Sequence, residues 1–434
     1  HTPRGQHVQL YINGEYLGLY YLTEKVEIDS ARIDIYDLES ATEDANEETP
    51  GSYALAGEQG TLIPGTVKYT DIPNDPEEIT GGYLLEFEAF SRYADEVSGF
   101  VTKKSQPIVV KSPEYVSRAQ VEYISAYYQE FEDALYSPTG YNSGGRHYSE
   151  YIDANSLARQ YILQEYTENY DGCNQSFFLY KDVDGLLTFG PAWDFDHALG
   201  LGGVDFYNTD GMDTSVPEQL FIKSWRMSGV TPGVRSLLGQ AYMHNDFQAL
   251  VSRLWAEEYE PYLDSWLAGF SAMAQTIASD AVMNAIRWNT YGTDDPAAVR
   301  AAYLADAERV TGFMTVRRAF LNRAFSPQTY YMKYDSGKYG STLVNDNTMY
   351  HAGDAAVVRG APGGQGGAAF AGWNTKPDGS GDTYYPEGTF TVEDASPVLY
   401  AVWKEEETTT PKTGFWDRIL AFFRRIIDFF RSLF

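Results

Sequence analysis

The sequence predicts an α+β chain: a β-rich part, a larger and mainly helical part, and a second small β part. Three observations carry this. Residues 8–28, VQLYINGEYLGLYYLTEKVEI, alternate apolar and polar side chains around Asn13-Gly14, the strongest short hairpin signal. From 216 to 325 the apolar spacing is helical almost throughout, with a polar break at GTDDP. From 326 to 403 Gly, Tyr and Thr dominate, and short strand-like runs alternate with turns.

The first part spans 1–113. After the hairpin, a stretch rich in Glu, Asp, Gly and Pro from about Asp37 to Thr80 reads as loop. GGYLLEFEAF (81–90) and PIVVKSP (107–113) read as strands. The second part spans 114–325. Helical patterns cover 114–136 and 153–168, with Asp153 as N-cap of the second. Residues 175–195 read as two strands joined at Asp184-Gly185. A small β module follows over 326–404, and TTTPKTG marks a linker within 405–414. The tail 415–434, FWDRILAFFRRIIDFFRSLF, places its charged residues with Ala421 and Ser432 on one side of a helical wheel at about 100° per residue. From Lys412 onward five Lys and Arg face two Asp. This pattern predicts an amphipathic helix that lies on a membrane surface or docks on a partner protein; docking on the chain's own core is the plainer alternative.

Bulk properties narrow the function. The 434 residues are 43% hydrophobic and 21% charged, as in folded globular proteins. A net charge of -29 argues against nucleic acid as a partner. The single cysteine, Cys173, excludes an internal disulfide and a cysteine-based zinc site. No run reaches the ~18 uninterrupted apolar residues of a spanning helix. The opening HTPRGQHVQLYING, without Met or signal peptide, reads as a fragment or processed chain. Walker loops, GxGxxG, HExxH and nucleophile elbows are absent.

The chemistry-bearing residues are acidic. In FGPAWDFDHALG, Asp194 and Asp196 stand one residue apart. An extended backbone would put both on one face, where like charges repel and burial worsens the repulsion; a cation removes the problem, as does solvent. About 20 residues upstream, TENYDGCNQSFFLYKD carries Asp171 and Asn174 in a turn between helix and strand. Asp-x-x-Asn there is either an Asx-type turn or a catalytic base beside a metal-binding amide. Lys111 ends an apolar strand, Glu86 and Glu88 share one face of another, and Glu24 and Lys25 close the hairpin. Each has a plain structural alternative as a surface or junction residue. Together they supply what phosphoryl transfer needs: a metal site, a carboxylate for the acceptor and a cation for phosphate. A glycosidase would also use two carboxylates, but on separate elements at least ~5 Å apart.

Taken together, LYINGEYLGLYYLTEKV, GGYLLEFE, VVKSPE, NYDGCNQSFFLYKD, GPAWDFDHALG and VRRAFLNRAF resemble, over residues 8–325, the CotH family, the spore-coat protein H type of atypical protein kinases. The resemblance implies a degenerate protein-kinase-like two-lobe fold. It implies ATP and Mg2+ (or Mn2+) as cofactors, protein Ser or Thr as acceptor, and a secreted, spore-associated or cell-surface location. By motif, Asp171 becomes the catalytic aspartate and Asp194 the metal aspartate. Asn174 becomes a second ligand and Asp196 a supporting carboxylate. Lys111, then Lys25, would contact phosphate; Glu24 and Glu86 would orient the lysine, and Arg317 would be structural. The segment that usually precedes the hairpin in the family is missing from the sequence, which predicts an incomplete nucleotide lobe. Residues 357–403, with FAGWNTKPDGSGDTYYPEGTFTVEDASPVLYAVW, resemble the Listeria–Bacteroides (internalin B-type) repeat, a β-grasp-like surface module whose Trp and Tyr are core. The rival expectation is a kinase-like surface adhesin or scaffold without catalysis.

Overall fold

A computed structural model of the chain describes residues 2–60, 62–169, 171–172, 174–205, 212–225 and 233–405. The linker and amphipathic tail expected at 405–434 lie outside the described residues but for Glu405.

The α+β expectation holds. The chain opens on strands β1 (Gly5–Ile12) and β2 (Glu15–Thr23). Asn13 and Gly14 take φ of 52° and 82°, the left-handed pair that a type I′ turn requires. Then come α1 (Leu38–Asp44), β3 (Leu55–Gly57), β4 (Val67–Thr70), β5 (Tyr83–Phe87), α2 (Phe90–Tyr93), β6 (Gly99–Val101), β7 (Pro107–Ser112), α3 (Arg118–Leu135), α4 (Ala154–Thr167), β8 (Phe177–Lys181) and β9 (Thr188–Phe189). Strands β3 to β9 form one seven-stranded sheet in the order β3-β4-β6-β7-β5-β8-β9. The stretch 37–80 is therefore not a plain loop. Asp37 caps α1 by accepting from Ser40 N, and β4 pairs with β6 some 30 residues later, a non-local partner that local composition does not reveal.

Alternation along the central strands decides what each sheet face does. Tyr83, Leu85, Phe87, Ile108, Val110, Phe177 and Leu179 bury against α3 and α4 in the main core. Both helices are capped as their sequences require: Ser117 and Gln120 form a capping box on α3, and Asp153 accepts from Asn155 N and Ser156 N on α4. The opposite face carries Leu84, Glu86 and Phe178, covered in part by Val26, Ile28, Ile33 and Trp193. That face holds the candidate site. The hairpin does not join this sheet. It packs on α8 (Ala278–Trp288), where Asn284 Oδ1 accepts from Leu19 N at 2.9 Å and Trp288 Nε1 donates to Leu17 O at 3.1 Å.

Beyond β9 come the pair β10 (Val204–Asp205) and β11 (Met212–Asp213), then α5 (Leu237–Ala241), α6 (Asn245–Leu254), α7 (Leu263–Thr276), α8 and the 29-residue α9 (Pro296–Ala324). Among the described residues past 216, helical structure starts at 237 apart from a 3-10 turn at Ile222–Ser224, later than the expected 216. The C-terminal β part comprises β12 (Lys333–Asp335), β13 (Ala355–Val357), β14 (Ala368–Asn374), β15 (Thr383–Tyr384), β16 (Thr389–Thr391) and β17 (Val398–Glu405). Sheet order β12-β17-β14-β15, with β12 parallel to β17, encloses its own core of Met332, Tyr334, Val358, Trp373 and Leu399. Trp373 is fully buried there, as expected of it, whereas Tyr385 of the same run is 64% exposed and not core. Buried cations tie this part to the helices. Lys223 Nζ donates to Asp346 O at 2.6 Å, Lys333 Nζ to Met243 O at 2.7 Å, and Arg235 Nη1 to Asn345 Oδ1 at 2.7 Å. Spending the ammonium hydrogens on carbonyls is what makes buried lysines tolerable.

Candidate active site

Lys111 sits at a β-bulge. Leu84 opposes Ser112 and Leu85 opposes Val110, so Lys111 is the extra residue on β7, and a bulge re-aims the side chain it carries. Its ammonium lies 3.5 Å from Glu86 Oε2 and 3.3 Å from Glu96 Oε1. Burial works to lower the Lys111 pKa, but Glu86 and Glu96 outweigh it and raise the pKa, so the lysine stays charged. Burial, helped by Glu88 and Glu96 and opposed by Lys111, pushes Glu86 up to about 7.

That shift has a sign. Glu86 in the folded protein holds its proton above the ordinary carboxylate value of 4.5. Folding therefore favours the protonated form, and stability falls as pH rises from 4.5 to about 7. Glu86→Gln should flatten this decline by roughly 1–3 kcal/mol, read from urea unfolding across that range. An unchanged slope would show that Glu86 is not the titrating group.

Glu86, Glu96 and Lys111 line a cavity of about 690 Å³ together with Lys25, Glu27, Glu39, Phe178 and Trp193. Seven carboxylate residues and two lysines line it in all. A polyphosphate entering such a cavity meets net repulsion unless cations accompany it. Lys25 is exposed and 3.5 Å from Glu27. Glu24 does not line the cavity. Its carboxylate accepts from Arg4 N, Nε and Nη2 at the foot of the hairpin, at 2.9, 3.0 and 2.6 Å.

Trp193 leads from the cavity into the acidic loops. Helix α4 is capped by Glu168, whose φ of 47° closes the helix in the left-handed region, and turn residues Asp171, Gly172 and Asn174 come before β8. A Cβ at Gly172 would displace the Gln164 side-chain amide, whose Oε1 it would approach within 2.5 Å. Asn169 ties the two loops together. Its Oδ1 accepts from Asp171 N at 3.3 Å, and its Nδ2 donates to Asp194 O at 3.1 Å. Asp171 is 8% exposed and accepts from Gln175 Nε2 at 2.7 Å. Its pKa is raised mainly by burial, with Asp194 and Asp196 adding to the rise and Gln175 and His197 opposing it.

Asp194 and Asp196 do not share a face as on a strand. Asp194 has φ of 59°, which breaks the alternation, and its Oδ2 accepts from Ser176 Oγ at 3.1 Å. Asp196 instead falls with Asp171 and His197, each contributing one ligand atom within 4.8 Å of the others. Asn174 is 8% exposed, and neither of its amide atoms has a partner. A buried amide left unpaired costs about 1–3 kcal/mol, so its presence beside these carboxylates fits a bound cation or its water. Sequence reasoning missed Asn169, Gln175, Ser176, Glu96 and His197. A polar residue flanking a suspected catalytic aspartate was signal enough for the first three. Glu96 comes from an irregular segment with no pattern of its own.

A family model described as CotH kinase protein matches residues 1–321, well over half of the chain. No curated protein matches the chain.

Proposed function

The chain belongs to the CotH kinase protein family, and from that premise we propose that it transfers the γ-phosphoryl group of ATP to the hydroxyl of a protein Ser or Thr with the help of a divalent cation. One observation carries this: Lys111, held between Glu86 and Glu96, lines a cavity that Trp193 also lines, and Trp193 directly precedes Asp194 in the acidic loops, where the buried Asn174 amide is unpartnered. Lys111 contacts the phosphates and Glu86, with Glu96, orients it. Lys25 at the rim guides the nucleotide in. Asp196 and Asn174 hold the cation, Mg2+ or Mn2+, and Asp194, fastened to Ser176, lends its second carboxylate oxygen. When bound, that cation neutralises phosphate oxygens. Asp171 accepts the hydroxyl proton as the acceptor oxygen bonds to the γ-phosphorus and the bond to the ADP oxygen breaks. Burial that raises its pKa makes it a stronger proton acceptor.

Thermal unfolding tests the binding half of this. With ATP and cation at about 100 times Kd the wild type should gain roughly 2.7 kcal/mol, and Asp194→Ala should gain little. Equal gains, or none in the wild type, would contradict the assignment and favour the scaffold reading.

The C-terminal β part, with its repeat-like sequence, supports an extracytoplasmic, cell-surface site of action. The basic amphipathic segment 415–434 would add a second attachment, to anionic lipid or to a partner protein. Deleting 410–434 should abolish binding to anionic vesicles; undiminished binding would refute the lipid half of this.

A further inference from the structure

Resting on the reading of the acidic loops as a divalent-cation site, we infer that His197 supplies an imidazole nitrogen to that cation and so favours Mn2+ over Mg2+. One carboxylate oxygen each of Asp171 and Asp196 and one ring nitrogen of His197 lie within 4.8 Å of one another; Asp196 and His197 take the ion, and Asp171 stands beside it as the proton acceptor. The grouping joins two loops 25 residues apart, which Asn169 fastens together through Asp171 N and Asp194 O. Asn174, three residues after Asp171 and in the same turn, is the independent sign of a ligand: it is 8% exposed and unpartnered at both amide atoms. The donor set then selects the ion. Mg2+ demands oxygen ligands in near-ideal octahedral geometry and keeps most of its water. Mn2+ shares with Mg2+ a preference for oxygen donors but belongs, at its low end, to the transition-ion series that takes imidazole nitrogen, so one nitrogen donor costs Mg2+ more than Mn2+. Side-chain exposures of 54% for His197 and 71% for Asp196 put the ion at the open side of the loops, where it can exchange.

Pulsed EPR on the full chain without nucleotide, with Mn2+ as probe, tests this independently of catalysis. Bound Mn2+ should show nitrogen modulation in the wild type and lose it in His197→Ala. Competition between the two ions should show the Mn2+ preference falling at least ~10-fold in the variant, the scale of losing even an outer partner of a metal ligand. His197→Ala changes an exposed residue, and an unchanged melting temperature will show that its fold is intact. Bound Mn2+ without nitrogen modulation, or an unchanged preference, would overturn the inference and leave the kinase reading standing. A wild type that binds no Mn2+ would overturn it as well, and ATP-dependent phosphoryl transfer would then judge the kinase reading separately.

Discussion

Asp171→Asn should lower phosphoryl transfer by about 10²–10⁴-fold, the usual contribution of a positioned general base. The substitution removes the proton acceptor and little else. Asparagine keeps an Oδ1 that can accept from Gln175 Nε2, now at 2.7 Å, and the Asp171 N–H to Asn169 Oδ1 bond belongs to the backbone. The melting temperature should therefore stay near that of the wild type or rise. Burial penalises the charged carboxylate at this position, and the amide carries no charge. Steady-state kinetics should show the loss in kcat with nucleotide KM little changed, because Lys111 and the cavity are untouched. A variant that falls equally in stability and activity would point to a structural Asp171.

Arg317→Met should destabilise the protein by about 3–5 kcal/mol, the cost of removing one partner from a buried ion pair. Arg317 on α9 is fully buried. Its guanidinium lies 3.0 Å from Glu165 Oε1 and 2.9 Å from Glu168 Oε1, and it donates to Pro217 O at 2.9 Å. Glu165 would keep the N–H groups of Phe221, Ile222 and Lys223. Glu168 would lose its cation, and burial already raises its pKa to about 8 against the pull of Arg317. The effect reaches the site because Glu168 precedes Asn169, the residue that fastens both acidic loops. Activity should thus fall along with the urea midpoint. An unfolding free energy within about 1 kcal/mol of the wild type would show that the pair contributes little, as some buried pairs do.

How far the sequence revealed this molecule depended on whether the signal was local. Asn13-Gly14 and the Asp153 cap are set by neighbours within a few residues, and the elements they mark form where expected, whereas the helix expected from 114 starts at Arg118, behind a Ser117 and Gln120 capping box. Strands β3 and β4 are illegible because they are short: β3 pairs with β4, and β4 pairs with β6 across the intervening β5. The same limit separates the site residues. Lys111 and Glu86 are legible as charges in apolar strands, and their side chains lie 3.5 Å apart. Glu24 looked equivalent in sequence, but the fold returns it to Arg4. Asp194 and Asp196 look like a pair on paper. The left-handed backbone at Asp194 separates their roles, sending one toward Ser176 and the other toward Asp171 and His197. No periodicity rule anticipates that turn.

The account stands on one claim, that this cavity and these loops together move a phosphoryl group. Label transfer measures it most directly, using the full chain, γ-labelled ATP, Mg2+ or Mn2+ and an acidic protein rich in Ser. The account predicts label on Ser or Thr of the chain or the added protein, abolished by chelator and by Asp171→Asn. No label with either ion, or label equal in Asp171→Asn, would contradict it.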